Sequence, residues 1–401
     1  MIQKAYKTEI DPNNKQKTLL LKHAGCARGA WNWALGCIKN AESKPTIGQL
    51  RKKLTELKKG EFAYMNEVAA NATQESLRDL EKAFTNFLKK RAKYPKFKSR
   101  DRGIGSFRVY RIKVTDNKVH LPILKWVNLK EKGYIPTDQR IVSATVSEKA
   151  GRWYVSVLVE EEIEQHDTDG VIGVDLGIKT LATCSDGSQY ANPKALSKEE
   201  ARIKHFQRKL SRKTKGSNHK TKDSNRRTKL KKKIARLHQR VTNIRKDATH
   251  KITSEIVKIK RPQIIVLEDL NVSGMTKNHR LAKAVCDANM RECRRQFEYK
   301  AEWTGVEVRF VDRFFPSSKM CSVCGTLKQD LKLGDRTYKC SECGLIMDRD
   351  LNAAHNLKNT VSSTGINAHG EDVEPRIKRV LKNESKIPSV RRELTLVEMT
   401  Q

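Results

Sequence analysis

Apolar residues recur every three or four positions in two N-terminal stretches, which predicts two amphipathic helices. The first helix is predicted over residues 14–41 and the second over residues 68–90. The apolar face of the first helix comprises Leu20, Ala24, Ala27, Trp31, Ala34, Leu35 and Ile38. Residues 4–10, which precede both helices, are predicted to form a short strand.

Beyond the second helix the period of the apolar residues falls to two, which predicts antiparallel hairpins. One hairpin is centred on Asp116-Asn117 and another on residues 149–152. The first strand, the helices and these hairpins together predict a small β-barrel, residues 1–10 and 101–165, that carries a helical insertion at residues 11–100. An independent helical domain is the alternative explanation for the insertion.

Strands and helices alternate from residue 166 to residue 357, which predicts an α/β domain. Its strands are predicted at residues 171–175, 180–184, 262–270 and 306–311, with a helix at residues 289–303. A stripe of apolar residues at near-heptad spacing predicts one further long helix: Leu230, Ile234, Leu237, Val241, Ile244 and Ala248.

Three carboxylates lie where these elements end or begin. Asp175 and Glu268 each follow a buried, apolar strand, and Asp350 stands at the predicted start of a helix. A buried charge without a partner is costly, so each carboxylate requires an explanation. Taken singly, Asp175 is explained as a turn cap, Glu268 as a solvated strand end and Asp350 as a helix N-cap.

Taken together, the three carboxylates predict a site for divalent cations. Two strand ends and a helix start can converge at one end of a sheet. Three carboxylates suit hard cations, typically two Mg²⁺ ions about 4 Å apart. One ion would activate water and the other would stabilise the leaving oxygen of a phosphodiester.

Four of the nine cysteines form two C-x-x-C pairs with fifteen residues between them. These cysteines, Cys321, Cys324, Cys340 and Cys343, predict one structural zinc ion held by four thiolates. The glycine after each pair lets backbone amides approach the sulfurs. The remaining cysteines are expected to be small core residues: Cys26, Cys37, Cys184, Cys286 and Cys293.

The charge of the chain predicts a polyanionic partner. It has 82 Lys and Arg residues against 46 Asp and Glu residues, a formal net charge of +36. Residues 201–260 alone carry 22 basic and three acidic side chains. Nucleic acid is the most common partner of such a charge distribution. A basic stretch with interleaved aromatic residues, 89–100, suits phosphate contact and base stacking, although a solvated helix end explains it as well.

No apolar run approaches the roughly 18 residues that span a bilayer, and the N-terminus has no apolar signal-peptide core. We therefore expect a cytoplasmic protein without a membrane partner. Residues 358–401 show no clear pattern and are predicted to be a disordered tail.

Four motifs together closely resemble those of the TnpB family, which comprises transposon-encoded RNA-guided nucleases related to the type V CRISPR effectors. The motifs are G-V-D-L-G-I-K at 173–179, V-L-E-D-L-N-V at 266–272, F-P-S-S-K-M-C-S-V-C-G at 315–325 and C-S-E-C-G-L-I-M-D-R-D-L-N-A-A-H-N-L at 340–357. Residues 77–99 also resemble the N-terminal half of the family.

The resemblance implies an RNase H-like RuvC nuclease domain, residues 166–357, interrupted by a zinc ribbon at residues 319–347. It also implies that the N-terminal barrel is a wedge domain and that its helical insertion is a recognition domain. By motif match, the metal-binding catalytic carboxylates would be Asp175, Glu268 and Asp350. Asp348 would support that site without binding metal.

The implied activity is cleavage of double-stranded DNA paired to a structured guide RNA that comes from the protein's own locus, next to a short flanking motif. We expect a monomer. Two other functions remain open at this point: a nuclease-inactive, guide-dependent DNA-binding regulator, and a transposase that cuts and joins DNA strands itself.

Overall fold

The computed structural model describes residues 1–41, 45–100, 103–162, 167–213, 223–332, 334–362 and 378–379. These residues fall into two compact units, one that ends at Glu162 and one that begins after it. Within the described ranges, no helix is long and apolar enough to cross a membrane.

The first unit contains a seven-stranded antiparallel sheet with the strand order β2-β6-β7-β1-β5-β4-β3. Its strands are β1 (Ile2–Asp11), β2 (Ser106–Val109), β3 (Lys113–Val114), β4 (Lys118–Leu121), β5 (Lys125–Leu129), β6 (Arg140–Lys149) and β7 (Arg152–Glu161). The two predicted hairpins are present as β3–β4 and β6–β7. In the described part of the chain β2 and β3 are the edges of the sheet, so its closure into a barrel stays a prediction.

Three helices pack beside this sheet: α1 (Asn14–Asn40), α2 (Ile47–Leu57) and α3 (Ala70–Leu88). Asn13 and Gln16 form a capping box at the start of α1, because each side chain accepts the backbone N–H of the other residue. The first half of α1 packs on the sheet and its second half packs against α2 and α3. The predicted helices 14–41 and 68–90 correspond to α1 and α3, whereas α2 was not predicted.

The second unit contains a six-stranded sheet with the order β10-β9-β8-β11-β12-β15. Its strands are β8 (Val171–Asp175), β9 (Thr180–Cys184), β10 (Gln189–Ala191), β11 (Ile264–Glu268), β12 (Glu307–Val311) and β15 (Lys378–Arg379). Strands β8, β11 and β12 are parallel, while β9 pairs with β8 in the antiparallel sense. A separate two-stranded hairpin comprises β13 (Thr337–Lys339) and β14 (Ile346–Asp348). The predicted α/β class is therefore confirmed.

The helices of this unit are α4 (Ala195–Ser211), α5 (Asn225–Ser254), α6 (Val272–Met275), α7 (His279–Ala288), α8 (Met290–Thr304) and α9 (Arg349–Ser362). A π-helical turn, Glu255–Ile259, continues α5. The predicted long helix is α5, and its apolar stripe packs on α4 through Leu237 and Val241.

Two predictions about the less regular parts of the chain need correction. The tail was predicted to begin at residue 358, but α9 continues to Ser362, and β15 pairs with β12. Residues 363–377 and 380–401, where the tail was predicted to be disordered, lie outside the described residues. Of the five unpaired cysteines, Cys26, Cys184 and Cys293 are buried, whereas Cys286 is exposed and is therefore not a core residue.

Candidate functional site

Asp175 and Glu268 lie side by side at the ends of two neighbouring parallel strands. In the register of β8 and β11, Val174 is opposite Leu267, so the two acids follow at adjacent positions. Neighbouring strands are about 4.8 Å apart, and residues two apart on a strand share a face. Both acids therefore project from the same face and the same end of the sheet.

Helix α9 brings Asp350 over this pair because it packs directly on Gly173 of β8. A Cβ atom at Gly173 would lie 2.1 Å from the backbone oxygen of Ala354 and 2.6 Å from the backbone nitrogen of Lys358, so only glycine permits this approach. Gly173 and Asp175 share one strand face, and Asp350 and Ala354 are one helical turn apart. The same packing thus aligns Asp350 with Asp175.

The three carboxylates interact strongly in electrostatic terms. Burial, with Glu268 and Asp350 nearby, raises the pKa of Asp175 well above its usual range, and Arg349 opposes that shift. Burial also raises the pKa of Glu268, against a hydrogen bond from the Ser317 hydroxyl. Within the described residues no hydrogen bond or ion pair reaches the Asp175 carboxylate, so the turn-cap explanation for Asp175 is wrong.

The structure separates Asp350 from its neighbour Asp348. Asp348 Oδ1 accepts the backbone N–H groups of Asp350 (2.9 Å) and Leu351 (3.1 Å), so Asp348 caps α9. The N-cap explanation for Asp350 is therefore wrong, and its carboxylate lies 3.4 Å from Arg349 Nη2.

The carboxylate of Asp269, the residue after Glu268, is neutralised by two arginines. It forms ion pairs with Arg294 and, at 3.6 Å, with Arg313. Of the two consecutive acids at the end of β11, Glu268 is consequently the one that faces Asp175.

The four cysteines form a tight group of ligand atoms. In the described ranges they are the one set of three or more His, Cys, Asp or Glu side chains whose ligand atoms all lie within 4.8 Å of one another. The sulfurs of Cys321 and Cys343 are 3.5 Å apart, as are those of Cys324 and Cys340. Tetrahedral coordination at a Zn–S distance of about 2.3 Å requires sulfurs about 3.8 Å apart, so the residues fit a zinc ion.

Two similar turns produce this arrangement. The backbone N–H of Cys321 bonds Thr326 and that of Cys340 bonds Leu345, both at 2.9 Å. Gly325 and Gly344 follow the pairs with φ values of 76° and 72°, a conformation that favours glycine. Hydrogen bonds with Thr326 lower the pKa of the Cys324 thiol, whereas burial and the neighbouring thiols raise that of Cys343, so the four thiols do not titrate independently. Within the described residues, the carboxylate oxygens of Asp175, Glu268 and Asp350 do not form a group as compact as these four sulfurs.

Known families match most of the chain. A family model described as "Probable transposase" (OrfB of IS605) matches residues 154–279, and one described as the Cas12f1-like TNB domain matches residues 291–357. A third model, described as a helix-turn-helix domain, matches residues 1–41, which fold here as one strand and one helix.

Relatives match the chain along nearly its whole length. A Streptomyces pristinaespiralis protein is 36% identical over 94% of this chain and 93% of its own length. The chain belongs to the TnpB family. The Escherichia coli protein InsQ is 30% identical over 88% of this chain and 91% of its own length. Both relatives are provisionally named RNA-guided DNA endonucleases. A solved structure of the mini-RNA-guided endonuclease CRISPR-Cas_phi3 covers 90% of this chain and 92% of its own, with 9% identity and a TM-score of 0.47.

Sequence reasoning missed several polar residues around these carboxylates. Ser317, whose hydroxyl bonds Glu268, is buried, as are Asn352 and Asn356 on α9. All three lie within the family motifs F-P-S-S-K and D-R-D-L-N-A-A-H-N. The sequence signal for them was the presence of polar residues among apolar ones, because a buried polar group requires a hydrogen-bond partner.

The basic aromatic stretch, residues 89–100, is hydrogen-bonded to α1 in the first unit. Trp31 Nε1 donates to the Lys96 carbonyl oxygen, and the Asn32 amide bonds both backbone groups of Lys98. Tyr94 and Phe97 remain exposed. The stretch is therefore an extended segment rather than a solvated helix end, in which Tyr94 packs edge-on against Phe84 and Phe87 of α3 and the Phe97 ring is exposed for stacking.

Proposed function

We propose that this chain is an RNA-guided DNA endonuclease that recognises a short flanking motif and hydrolyses phosphodiester bonds of guide-complementary DNA at Asp175, Glu268 and Asp350. One observation carries the proposal. Two parallel strands end in adjacent carboxylates, and α9 packs on Gly173 so that the carboxylate of Asp350 lies near that of Asp175.

The donor set fits Mg²⁺. Carboxylate oxygens are hard ligands, and the raised pKa of Asp175 reflects buried like charges that a cation would relieve. Asp175 interacts with both Glu268 and Asp350. We therefore assign Asp175, Glu268 and Asp350 as the residues that would hold two Mg²⁺ ions. Two such cations would supply an activated water and would stabilise the leaving oxygen of the phosphodiester.

The protein's own residues keep these carboxylates oriented and limit the negative charge around them. Ser317 fixes one oxygen of Glu268, and Arg349 lies beside Asp350. Arg294 and Arg313 neutralise Asp269, so a fourth acid next to Glu268 does not repel the phosphate.

We assign residues 166–357, which make up most of the second unit, to an RNase H-like RuvC domain with a zinc ribbon at residues 319–347. The sheet order, with β8 central between an antiparallel β9 and a parallel β11, supports the first assignment. The two cysteine turns and the β13–β14 hairpin support one structural Zn²⁺ ion in the second. Asp348 supports the site as the cap of α9.

We assign residues 1–10 and 101–165 to a wedge domain and residues 11–100 to an inserted recognition domain. Their proposed partners are a structured guide RNA from the protein's own locus and double-stranded target DNA, bound by a monomer. The formal charge of +36 and the exposed Tyr94 and Phe97 support nucleic-acid contact.

The test begins with expression of the chain together with the DNA that flanks its gene, followed by sequencing of the RNA that copurifies. One discrete RNA with a constant structured part and a variable end is expected. That RNA then programs cleavage of a plasmid library with a randomised flank in Mg²⁺.

Asp175→Asn is expected to abolish cleavage while RNA copurification persists. The matched control is Asp186→Asn, which changes an acid that pairs with Lys260 at the turn after β9 and is expected to cleave normally. Full cleavage by Asp175→Asn would refute the assigned site. Guide-dependent binding without cleavage by the wild type would identify a regulator, and joined strands formed without RNA would identify a transposase.

A further inference from the structure

A chain of buried polar contacts connects the first cysteine turn to Glu268. The hydroxyl of Ser317, a residue only 3% exposed, donates to Glu268 Oε1. The backbone oxygen of Ser317 in turn accepts Asn356 Nδ2 at 2.7 Å. Asn356 belongs to α9, the helix that carries Asp350. Two of the three proposed catalytic carboxylates are thus joined through Ser317.

Side chains of α9 form hydrogen bonds with the cysteine turn on both sides of Cys321. Asn352 Nδ2 donates to the Met320 oxygen at 2.7 Å, and Asn352 Oδ1 accepts the Ser322 N–H at 3.0 Å. Asn356 Nδ2 also reaches the Met320 oxygen, at 2.6 Å. Asn352 and Asn356 are at most 1% exposed, so water cannot replace these contacts without an opening of the fold.

Because the connection between Ser317 and Cys321 is short, the position of Cys321 constrains the position of Ser317. Three residues separate them, and backbone hydrogen bonds tighten the segment: Lys319 and Met320 both donate to the Pro316 oxygen, at 2.9 and 3.0 Å. A metal that fixes Cys321 against Cys343 therefore also fixes the segment from which Ser317 reaches Glu268.

We infer that Ser317 is a positioning residue for Glu268, and that Asn352 and Asn356 couple its position to the cysteine turn, so that zinc in the four-thiolate site tightens Mg²⁺ binding at the carboxylates. The inference rests on the proposed function. Partners of ligating carboxylates typically contribute 10- to 100-fold in metal affinity.

The first measurement is the Mg²⁺ concentration dependence of cleavage by the protein–guide RNA complex. Ser317→Ala is expected to raise the half-saturating Mg²⁺ concentration about tenfold or more, with a much smaller loss of rate at saturation. Ser317→Thr keeps the hydroxyl and is expected to restore most of the affinity. Asn356→Ala tests the same connection from its other end.

The matched control is Ser318→Ala, because Ser318 is half-buried and makes no side-chain hydrogen bond within the described residues. A second readout avoids activity altogether. Mn²⁺ binding to the RNA-loaded complex is followed by the loss of the free Mn²⁺ electron paramagnetic resonance signal, with the Asp175→Ala complex as the background for ions held by RNA. Ser317→Ala is expected to weaken the protein-specific component.

Coupling to zinc is tested by a double-mutant cycle with Cys324→Ser, which removes one thiolate. If the cysteine turn acts through Ser317, the two substitutions together shift the half-saturating Mg²⁺ concentration little more than either alone. Additive shifts overturn the coupling, and an unchanged Mg²⁺ dependence in Ser317→Ala overturns the positioning role. Failure of the proposed function is separate, because it would appear as full cleavage by Asp175→Ala.

Discussion

Gly173 governs the candidate site although it has no side chain to contribute. Its backbone is the surface on which α9 lies, and its own N–H and oxygen bond Ser185, at 3.1 Å to the hydroxyl and 2.9 Å to the backbone nitrogen. The distance from α9 to β8 sets the distance from Asp350 to Asp175. The glycine at position 173 therefore affects both the packing of α9 on β8 and the distance between the two carboxylates.

Gly173→Ala is expected to destabilise the protein and to remove cleavage together. The added methyl group would overlap backbone atoms of Ala354 and Lys358, which cannot yield as a flexible side chain can. Overpacking of this kind costs about 1–3 kcal/mol. Thermal unfolding measures the first effect, and guide-dependent cleavage measures the second.

Gly36→Ala in α1 is the control for Gly173→Ala. Its Cβ would meet nothing within 4 Å, and alanine stabilises a helix interior by about 0.5–1 kcal/mol relative to glycine. A Gly173→Ala protein as stable and as active as the Gly36→Ala protein would show that α9 does not set the carboxylate geometry.

Asp348 and Asp350 are expected to respond differently to removal of their charge. Asp348→Asn keeps a side-chain oxygen that can accept the two amides at the start of α9, so the helix stays capped and cleavage is expected to fall less than tenfold. Asp350→Asn removes a proposed ligand and is expected to lower the cleavage rate by more than about 100-fold. Single-turnover cleavage rates compare the two proteins, and the opposite order of effects would move the ligand to Asp348.

At the scale of elements, buried Lys300 joins α8 to the end of α5. Its ammonium donates to the His250 oxygen (2.8 Å), Thr253 Oγ1 (2.7 Å) and Ser254 Oγ (2.8 Å). Burial, with the Lys258 charge nearby, lowers the pKa of Lys300 to about 8. The unfolded chain binds this proton more tightly, so the group opposes folding fully below pH 8 and ceases to do so as the pH rises towards 10.5.

Lys300→Met is expected to reveal this titration as a pH-dependent difference in stability. The free energy of unfolding of the variant minus that of the wild type should fall by about 1–2 kcal/mol between pH 8 and pH 10.5. This figure is reduced for residual solvation of the Lys300 ammonium group. Urea unfolding across that range measures the difference. A difference independent of pH would mean that Lys300 is charged in the folded protein throughout the range.

The elements that sequence predicted well are those whose burial gives a strong period. Helix α1 buries one continuous stripe, and β6 and β7 alternate around the tight turn at Ala150 and Gly151. Shorter elements give a weaker signal: α2 buries Ile47, Leu50 and Leu54 at helical spacing but over only eleven residues, and β10 has three residues, none of them fully buried. The acids Asp175 and Glu268 were recognisable because each ends a buried strand.

The contacts around those acids could not be predicted in the same way. Which of two neighbouring aspartates caps α9 depends on where the helix begins, and helix boundaries are uncertain by a residue or two. The partner of Ser317 is Glu268, 49 residues away; the pairing of β11 with β12, which places Val311 opposite Glu268, and the contacts of α9 bring the two segments together. Motif resemblance marked these segments without giving their individual roles.

At the scale of the whole molecule, positive charge exceeds what the protein's own acids can neutralise. The 46 acidic side chains leave a formal excess of 36 basic ones. On α5, Lys229, Lys232 and Arg236 are exposed and make no ion pair within the described part of the chain. Such side chains gain most when they meet phosphates, because bound counterions are released.

Replacement of Lys229, Lys232 and Arg236 by alanine is expected to weaken binding of the copurified guide RNA on the order of tenfold near 150 mM salt. The slope of log affinity against log salt concentration should fall by about two, since each phosphate contact contributes about 0.7–0.9. Filter binding across a salt series measures both quantities. Asp175-dependent cleavage should persist at low salt, because the substitutions leave the carboxylate site untouched.

A triple control removes the same net charge from lysines that already have partners. Lys204, Lys231 and Lys251 pair with Glu200, Asp223 and Asp247, so their charges are already partly neutralised within the protein. If Lys229, Lys232 and Arg236 on α5 contact phosphates directly, the control should lower the salt slope less than the test triple does. Equal slopes would instead mean that the RNA responds to the total charge of the protein, and that the exposed face of α5 is not where the phosphates lie.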